Sequence, residues 1–154
     1  LKKELEIYID GACSGNPGEA SLGAVFYQNK EKIKEISRTI GPATNNIAEY
    51  SALIEALKEA VLLKADKIKI YTDSGLLFNQ VTGHYQIKNE RLKLLFEEAK
   101  HLGQGFSIVE IKQIPREQNQ VADELASKAL KKRQAKMVAF PFFSGREESP
   151  SSKG

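Results

Sequence analysis

The sequence predicts one α/β domain whose five-stranded sheet joins an antiparallel meander to parallel strands. Two observations predict it. Three strand segments, the first with clear period-two alternation, follow one another across short polar turns before any helical pattern begins. The later strands are then reached through helices, and a strand regained through a helix pairs in parallel. At 154 residues the chain has the length of a single domain and can bury a core of its own.

Residues 4–10, ELEIYID, alternate Leu5, Ile7 and Ile9 against Glu6, Tyr8 and Asp10, the pattern of a half-buried strand. SGNPG then supplies a turn. Residues 22–28 and 32–40 form the next two strands, separated by polar NKE, and Gly41 and Pro42 end the meander. A helix is expected over 45–63, because Tyr50, Leu53, Ile54, Leu57, Ala60 and Val61 recur at the spacing of one buried stripe. Residues 67–73, KIKIYTD, are the fourth strand, and Asp73 and Ser74 can cap the helix after it. That short helix, over 75–81, breaks at Thr82 and Gly83, and a longer one over 89–102 leads to a fifth strand at 106–114, closed by Pro115. The last helix runs from 119 to 132 or a little beyond, with Ala122, Leu125, Ala126 and Ala129 facing inward.

No apolar run approaches the roughly 18 residues of a membrane span, so no membrane partner is expected. The single Cys13 excludes an internal disulfide framework, and no basic-then-apolar leader opens the chain, which together suit a cytoplasmic location. A net charge of +3 is compatible with a polyanionic partner without identifying one.

Four acids carry the chemistry: Asp10, Glu49, Asp73 and Asp123. Asp10 and Asp73 each follow a tyrosine by two residues, at the expected ends of two strands, so on adjacent parallel strands they emerge side by side. Glu49 borders the apolar stripe of the first long helix, and Asp123 projects from the last helix toward the same edge. Each has an ordinary alternative: a turn residue at Asp10, an N-cap at Asp73, and a partner for the positive end of a helix at Glu49 and Asp123. Capping accounts for the positions one at a time but not for their convergence. Converging carboxylates repel one another and lose hydration, and a bound cation resolves both problems. Oxygen ligands suit magnesium or manganese.

The fragments DGACSGNPG, TNNIAEYSALIEAL, YTDSGL and REQNQVADELASKAL, in this order over residues 4 to about 132, resemble type 1 ribonuclease H. The resemblance implies the ribonuclease H-like fold, a mixed five-stranded sheet flanked by helices. It implies endonucleolytic hydrolysis of the RNA strand of RNA·DNA hybrids, leaving 5′-phosphate and 3′-hydroxyl ends. By it, Asp10, Glu49, Asp73 and Asp123 hold two Mg²⁺ ions, for which Mn²⁺ can substitute, with Asp10 as the bridging ligand. It places Cys13, Ser14, Asn16, Thr44, Asn45, Asn46, Ser74 and Asn119 on the surface that contacts the hybrid. Hydroxyls and amides there can also shape turns and caps.

Three features depart from the better-known bacterial form. The loop before the last acid, PREQN, lacks histidine, and Arg116 is the candidate substitute, acting electrostatically because arginine does not shuttle protons. The alternative for Arg116 is a loop salt bridge with Glu117 or Glu124. A basic protruding helix is absent, and Lys128, Lys131, Lys132, Arg133 and Lys136 on the last helix can compensate, although such a run also serves as a solvated face. Gly75 stands where a polar side chain often follows TDS.

Residues 1–136 are expected to form the catalytic domain and 137–154 a C-terminal extension. Val138, Phe140, Phe142 and Phe143 call for docking on their own molecule, with GREESPSSKG as a loose polar end. A monomer is expected, a dimer through this extension being the alternative. The competing function classes are a module that grips hybrid without cutting it, and another nuclease built on a similar sheet.

Overall fold

A computed structural model describes residues 2–145, with side-chain surroundings given through residue 136. The order is β1 (Glu4–Gly15), β2 (Gly18–Gln28), β3 (Glu31–Ala43), α1 (Asn45–Leu62), β4 (Lys67–Thr72), α2 (Gly75–Val81), α3 (Glu90–Gly103), β5 (Ile108–Gln113), a 3-10 turn at Arg116–Gln118, and α4 (Gln120–Gly145). The strands lie in the order β3-β2-β1-β4-β5. The first three pair antiparallel, and β4 is parallel to both β1 and β5. The expected mixed five-stranded sheet is therefore borne out.

Leu5, Ile7 and Ile9 of β1, with Ala24 and Phe26 of β2, form one buried face under Tyr50, Leu53, Ile54 and Leu57 of α1 and Leu92 and Ala99 of α3. The opposite face carries α4, whose Ala122, Leu125, Ala126 and Ala129 are all buried. Two hydroxyls clamp this helix. Ser21 Oγ donates to the Ala126 carbonyl at 2.5 Å and Ser37 Oγ to that of Leu125 at 2.6 Å. Val61, expected in the α1 stripe, is 48% exposed, while its neighbour Ala60 is buried, so the stripe in the last turn of α1 runs through Ala60 and not Val61.

Two glycines let the helices approach. A Cβ on Gly11 would lie 2.6 Å from the carbonyl carbon of Ala48 and 2.7 Å from the amide of Glu49, both backbone atoms of α1. On the other face a Cβ on Gly23 would lie 2.6 Å from Ala126 N and closer still to Ala122 O. Since backbone cannot yield as a flexible side chain does, Gly23→Ala should force α4 off the sheet. We expect it to lower the melting temperature by roughly 5 °C or more, on an overpacking cost of about 1–3 kcal/mol. Unchanged melting would contradict the close seat of α4.

Four elements exceed their expected lengths. β2 begins at Gly18, and β3 does not stop before Gly41 and Pro42 but pairs through them to Ala43 against Gly18–Ala20 of β2; β1 and α4 are longer as well. β1 continues past Asp10 to Gly15, since residues 11–15 keep pairing with β2 down to Gly15 and Gly18. Their small and polar side chains hide that strand from a pattern based on apolar alternation. Helix α4 runs on to Gly145, across the expected boundary after residue 136, through the good helix formers Ala135, Lys136 and Met137. The expected docking of Val138, Phe140, Phe142 and Phe143 lies outside the described side chains; of the expected loose end at 145–154, Gly145 is the last residue of α4 and the rest lies outside the described residues. Among the described residues no helix is long and apolar enough to cross a membrane.

Candidate active site

The parallel pairing of β1 with β4 runs from Glu4 and Lys67 to Tyr8 and Tyr71, and stops. The rings of that last pair stack at 4.5 Å between centroids. Beyond them β1 continues with β2 alone, Asp10 standing opposite Gly23, while β4 ends at Thr72 and turns into α2. The two chains part here, and the crevice between them receives Asp10 and Asp73. Asp10 thus lies inside a strand and not at its end, because the hairpin of β1 and β2 extends five residues past it.

The helix ends remove two of the ordinary explanations. Ser74 caps α2, its Oγ accepting from the Leu77 amide at 3.1 Å, so Asp73 is left to the crevice. Thr44 caps α1 by accepting from the Ile47 amide at 3.2 Å. Glu49 lies a full turn inside α1, and its Oε1 accepts from the Gly11 amide at 2.9 Å. That bond aims the carboxylate across Gly11 toward Asp10, through the gap a side chain at Gly11 would fill.

Ligand oxygens of Asp10, Glu49 and Asp73 lie within 4.8 Å of one another. Asp10 and Glu49 are buried, and Asp10 Oδ2 has no hydrogen-bond partner. Burial, then the charge of Asp73 and hydrogen bonding with Asp123, push the Asp10 carboxyl up to about 8, against a small opposing pull from Arg116. Burial, with the charges of Asp10 and Asp73, pushes Glu49 well above the usual carboxylate range, against the Gly11 amide and Arg116. Buried carboxyls held so close, one oxygen lacking any donor, fit a hard divalent cation with oxygen ligands.

Asp123 completes the group from a greater distance. It stands beside Asp10 at the start of α4 but outside the three-residue cluster, and its side chain is 37% exposed. Arg116 Nη2 lies 3.7 Å from Asp123 Oδ1, so its partner is this acid and not Glu117 or Glu124. The expected loop around Arg116 is a 3-10 turn that presents the guanidinium to the crevice from an exposed position.

The expected hybrid-contacting residues divide by exposure. Ser14, Asn16, Asn45 and Asn46 are exposed, and Asn16 Oδ1 accepts from the Asn45 amide at 3.0 Å, tying the hairpin tip to the start of α1. Thr44 and Ser74 are half-buried caps beside them. Cys13 is different: its thiol donates to the Ala43 carbonyl at 3.1 Å and packs with Ala20, Ala43 and Ala48, so it fastens β1 to the end of β3. Asn119 is buried and its amide is directed at Ile9 and Asp73, which places it beneath the carboxylates and away from an outer surface. His84 is exposed and bonded to Thr82 at 2.7 Å.

One residue has no counterpart among the sequence expectations. The space a side chain at Gly75 would enter is taken by Gln113, whose Nε2 lies 3.2 Å from that Cβ position. Only the pairing of Thr72 with Gln113 reveals it, and no local pattern encodes that register.

The chain matches a family model described as reverse transcriptase-like over residues 8–129. A solved structure of a type 1 ribonuclease H from the archaeon Halobacterium salinarum superposes with a TM-score of 0.82 at 39% identity, covering 84% of this chain and 98% of that one. The chain belongs to the type 1 ribonuclease H family. Another type 1 ribonuclease H, LC11, solved in complex with an RNA/DNA hybrid, has a TM-score of 0.80 at 36% identity, covering 84% of this chain and 99% of that one. A bifunctional protein of Mycobacterium tuberculosis is 36% identical over 152 residues, which cover 96% of this chain and 42% of that protein's length. The chain therefore spans under half of that relative. The antiparallel meander, the parallel β1 and β4, and the crevice between them belong to a ribonuclease H fold.

Proposed function

We propose that the protein is an endonuclease that hydrolyses the RNA strand of RNA·DNA hybrids and leaves 5′-phosphate and 3′-hydroxyl ends. The observation that carries the reading is the convergence of Asp10, Glu49 and Asp73 within 4.8 Å, with Asp10 Oδ2 buried and unpartnered. Family membership, with a relative crystallised on a hybrid, points to the substrate.

Asp10, Glu49, Asp73 and Asp123 would hold two Mg²⁺ ions, with Mn²⁺ as a substitute. Bound there, the ions supply an activated water and charge neutralisation at the leaving oxygen. The chain does the rest. Burial of Asp10 and Glu49 keeps bulk water from screening the centre, and the Gly11 amide fixes the Glu49 carboxylate. Ser14, Asn16, Thr44, Asn45, Asn46 and Ser74 would offer the hybrid small donors and acceptors. Such groups can read the 2′-hydroxyls that a hybrid displays in its wide minor groove and that duplex DNA lacks. Exposed Lys128, Lys131, Lys132, Arg133 and Lys136 would add sequence-independent attraction for phosphates.

Arg116 would meet a phosphate or the leaving group beside Asp123. Arg116→Ala should lower turnover by about ten- to a hundredfold while leaving the fold intact, since the residue is 74% exposed. Steady-state kinetics that match the parent protein would reject the role.

Residues 1–136 would form the catalytic unit of a monomeric, cytoplasmic enzyme, with 137–154 as an extension; a dimer formed through it would show in sedimentation. Strand-resolved cleavage tests the proposal, with the RNA or the DNA strand end-labelled and with duplex RNA and duplex DNA as controls. Internal cuts confined to the RNA of the hybrid support it. Tight binding of hybrid without cleavage in Mg²⁺ or Mn²⁺ would convert the protein to a binding module, and cutting only from strand ends would make it an exonuclease.

A further inference from the structure

We propose that Asn119 is the positioning residue of the carboxylate centre, its side chain selecting which oxygen of Asp73 remains for a cation. The inference rests on the cation-dependent reading above and goes beyond it by assigning a residue that is not itself a ligand.

Asn119 is 1% exposed. Its Nδ2 donates to the Ile9 carbonyl at 2.8 Å and to Asp73 Oδ2 at 2.9 Å. Both partners are acceptors, so the orientation of the amide follows from the chemistry: only the NH₂ side can face them. Ile9 and Thr72 lie one residue past the last β1 and β4 pair, where the strands part. The amide bridges the gap the ladder leaves, and it does so next to the two aspartates. With Oδ2 of Asp73 engaged, Oδ1 is the oxygen left to the crevice.

Main-chain bonds that any non-proline residue here would make tie the same position to the other half of the site. Its N–H donates to the Arg116 carbonyl at 2.9 Å, and its carbonyl accepts from the Asp123 amide at 3.1 Å. One buried residue thus joins β1, the end of β4, the turn bearing Arg116 and the first turn of α4. Its Oδ1 is buried without a partner. An apolar side chain of similar volume would fill this space with no orphaned acceptor, so the two donated bonds are what an amide provides here. Groups that orient metal ligands commonly change affinity by about ten- to a hundredfold when removed.

The test is calorimetric titration of Mn²⁺ into the full chain, free of nucleic acid. Asn119→Ala is compared with the parent protein and with Ser21→Ala, which removes a buried hydrogen bond that clamps α4 to β2. Asn119→Ala should weaken Mn²⁺ binding by about ten- to a hundredfold, while Ser21→Ala lowers the melting temperature and leaves affinity unchanged. If Asn119→Ala does not fold, Asn119→Ser, with a single donor, is read in the same way and should fall between the two. Parental affinity in the Asn119 variant overturns the inference, as does an equal loss in Ser21→Ala, which would assign the effect to packing. Absence of Mn²⁺ binding by the parent protein overturns the cation reading itself, an outcome distinct from the other two.

Discussion

Asp10→Asn should abolish hybrid cleavage, by roughly a thousandfold or more, and should also raise the melting temperature of the metal-free protein at pH 8. The two effects have one cause. Asp10 is 2% exposed, and its Oδ2 has no donor. Its carboxyl is pushed up to about 8 by burial, Asp73 and Asp123, so at that pH the folded protein holds a poorly solvated charge among like charges. Asparagine keeps the shape and removes the charge, which relieves the repulsion and deprives a cation of a ligand. Melting curves in EDTA and hybrid cleavage in Mg²⁺ check the pair of outcomes. A variant that is inactive but less stable would show that Asp10 holds the fold by contacts the structure does not contain.

The second large effect concerns pH. In EDTA the melting temperature should fall as pH rises from about 5 to about 8.5, opposite to the behaviour of a protein held by salt-bridged carboxylates. Asp10 is raised from 3.8 to about 8, and Glu49 is raised well above its ordinary value. Between the unfolded and folded values the folded state binds more protons than the unfolded one, so stability falls with rising pH across that window. Below the unfolded values both states are protonated and the effect is absent. At about 1.4 kcal/mol per pKa unit, the loss across the window is on the order of a few kcal/mol. A divalent cation binds the ionised carboxylates, so Mg²⁺ should restore melting strongly near pH 8 and hardly at pH 5. Scanning calorimetry over this range, with EDTA and with Mg²⁺, reads both curves. A metal-free profile that is flat or rises with pH would contradict the buried, convergent placement of Asp10 and Glu49.

Much of this site was legible because its signals are local. The two-residue phase of Asp10 on Tyr8 and of Asp73 on Tyr71 required only strand periodicity, and the pairing of Tyr8 with Tyr71 bears it out. Glu49 was legible from its place beside the α1 stripe, and the inward face of α4 from Ala122, Leu125, Ala126 and Ala129. What stayed hidden depends on contacts between distant segments. Asn119 meets Ile9 across 110 positions, and its sequence context, a turn before a helix, suggests an outer loop instead. Gln113 fills the space at Gly75 only because β5 pairs in one register with β4. The strand at residues 11–15 is held by backbone pairing, which side-chain alternation does not report. Asp123 stands outside the cluster of the other three acids, and the close seat of α4 on Gly23 is likewise helix-on-sheet geometry that spacing alone does not convey.

The most direct test of the account is the cation dependence of hybrid cleavage itself, measured as single-turnover cutting of the RNA strand in EDTA and across a Mg²⁺ titration. The account predicts no cleavage in EDTA, internal cuts that appear and saturate with Mg²⁺, and 5′-phosphate and 3′-hydroxyl ends on the products. Cleavage that persists in EDTA, or products bearing a 2′,3′-cyclic phosphate, would contradict it, because the carboxylates at Asp10, Glu49 and Asp73 would then have no part in the reaction.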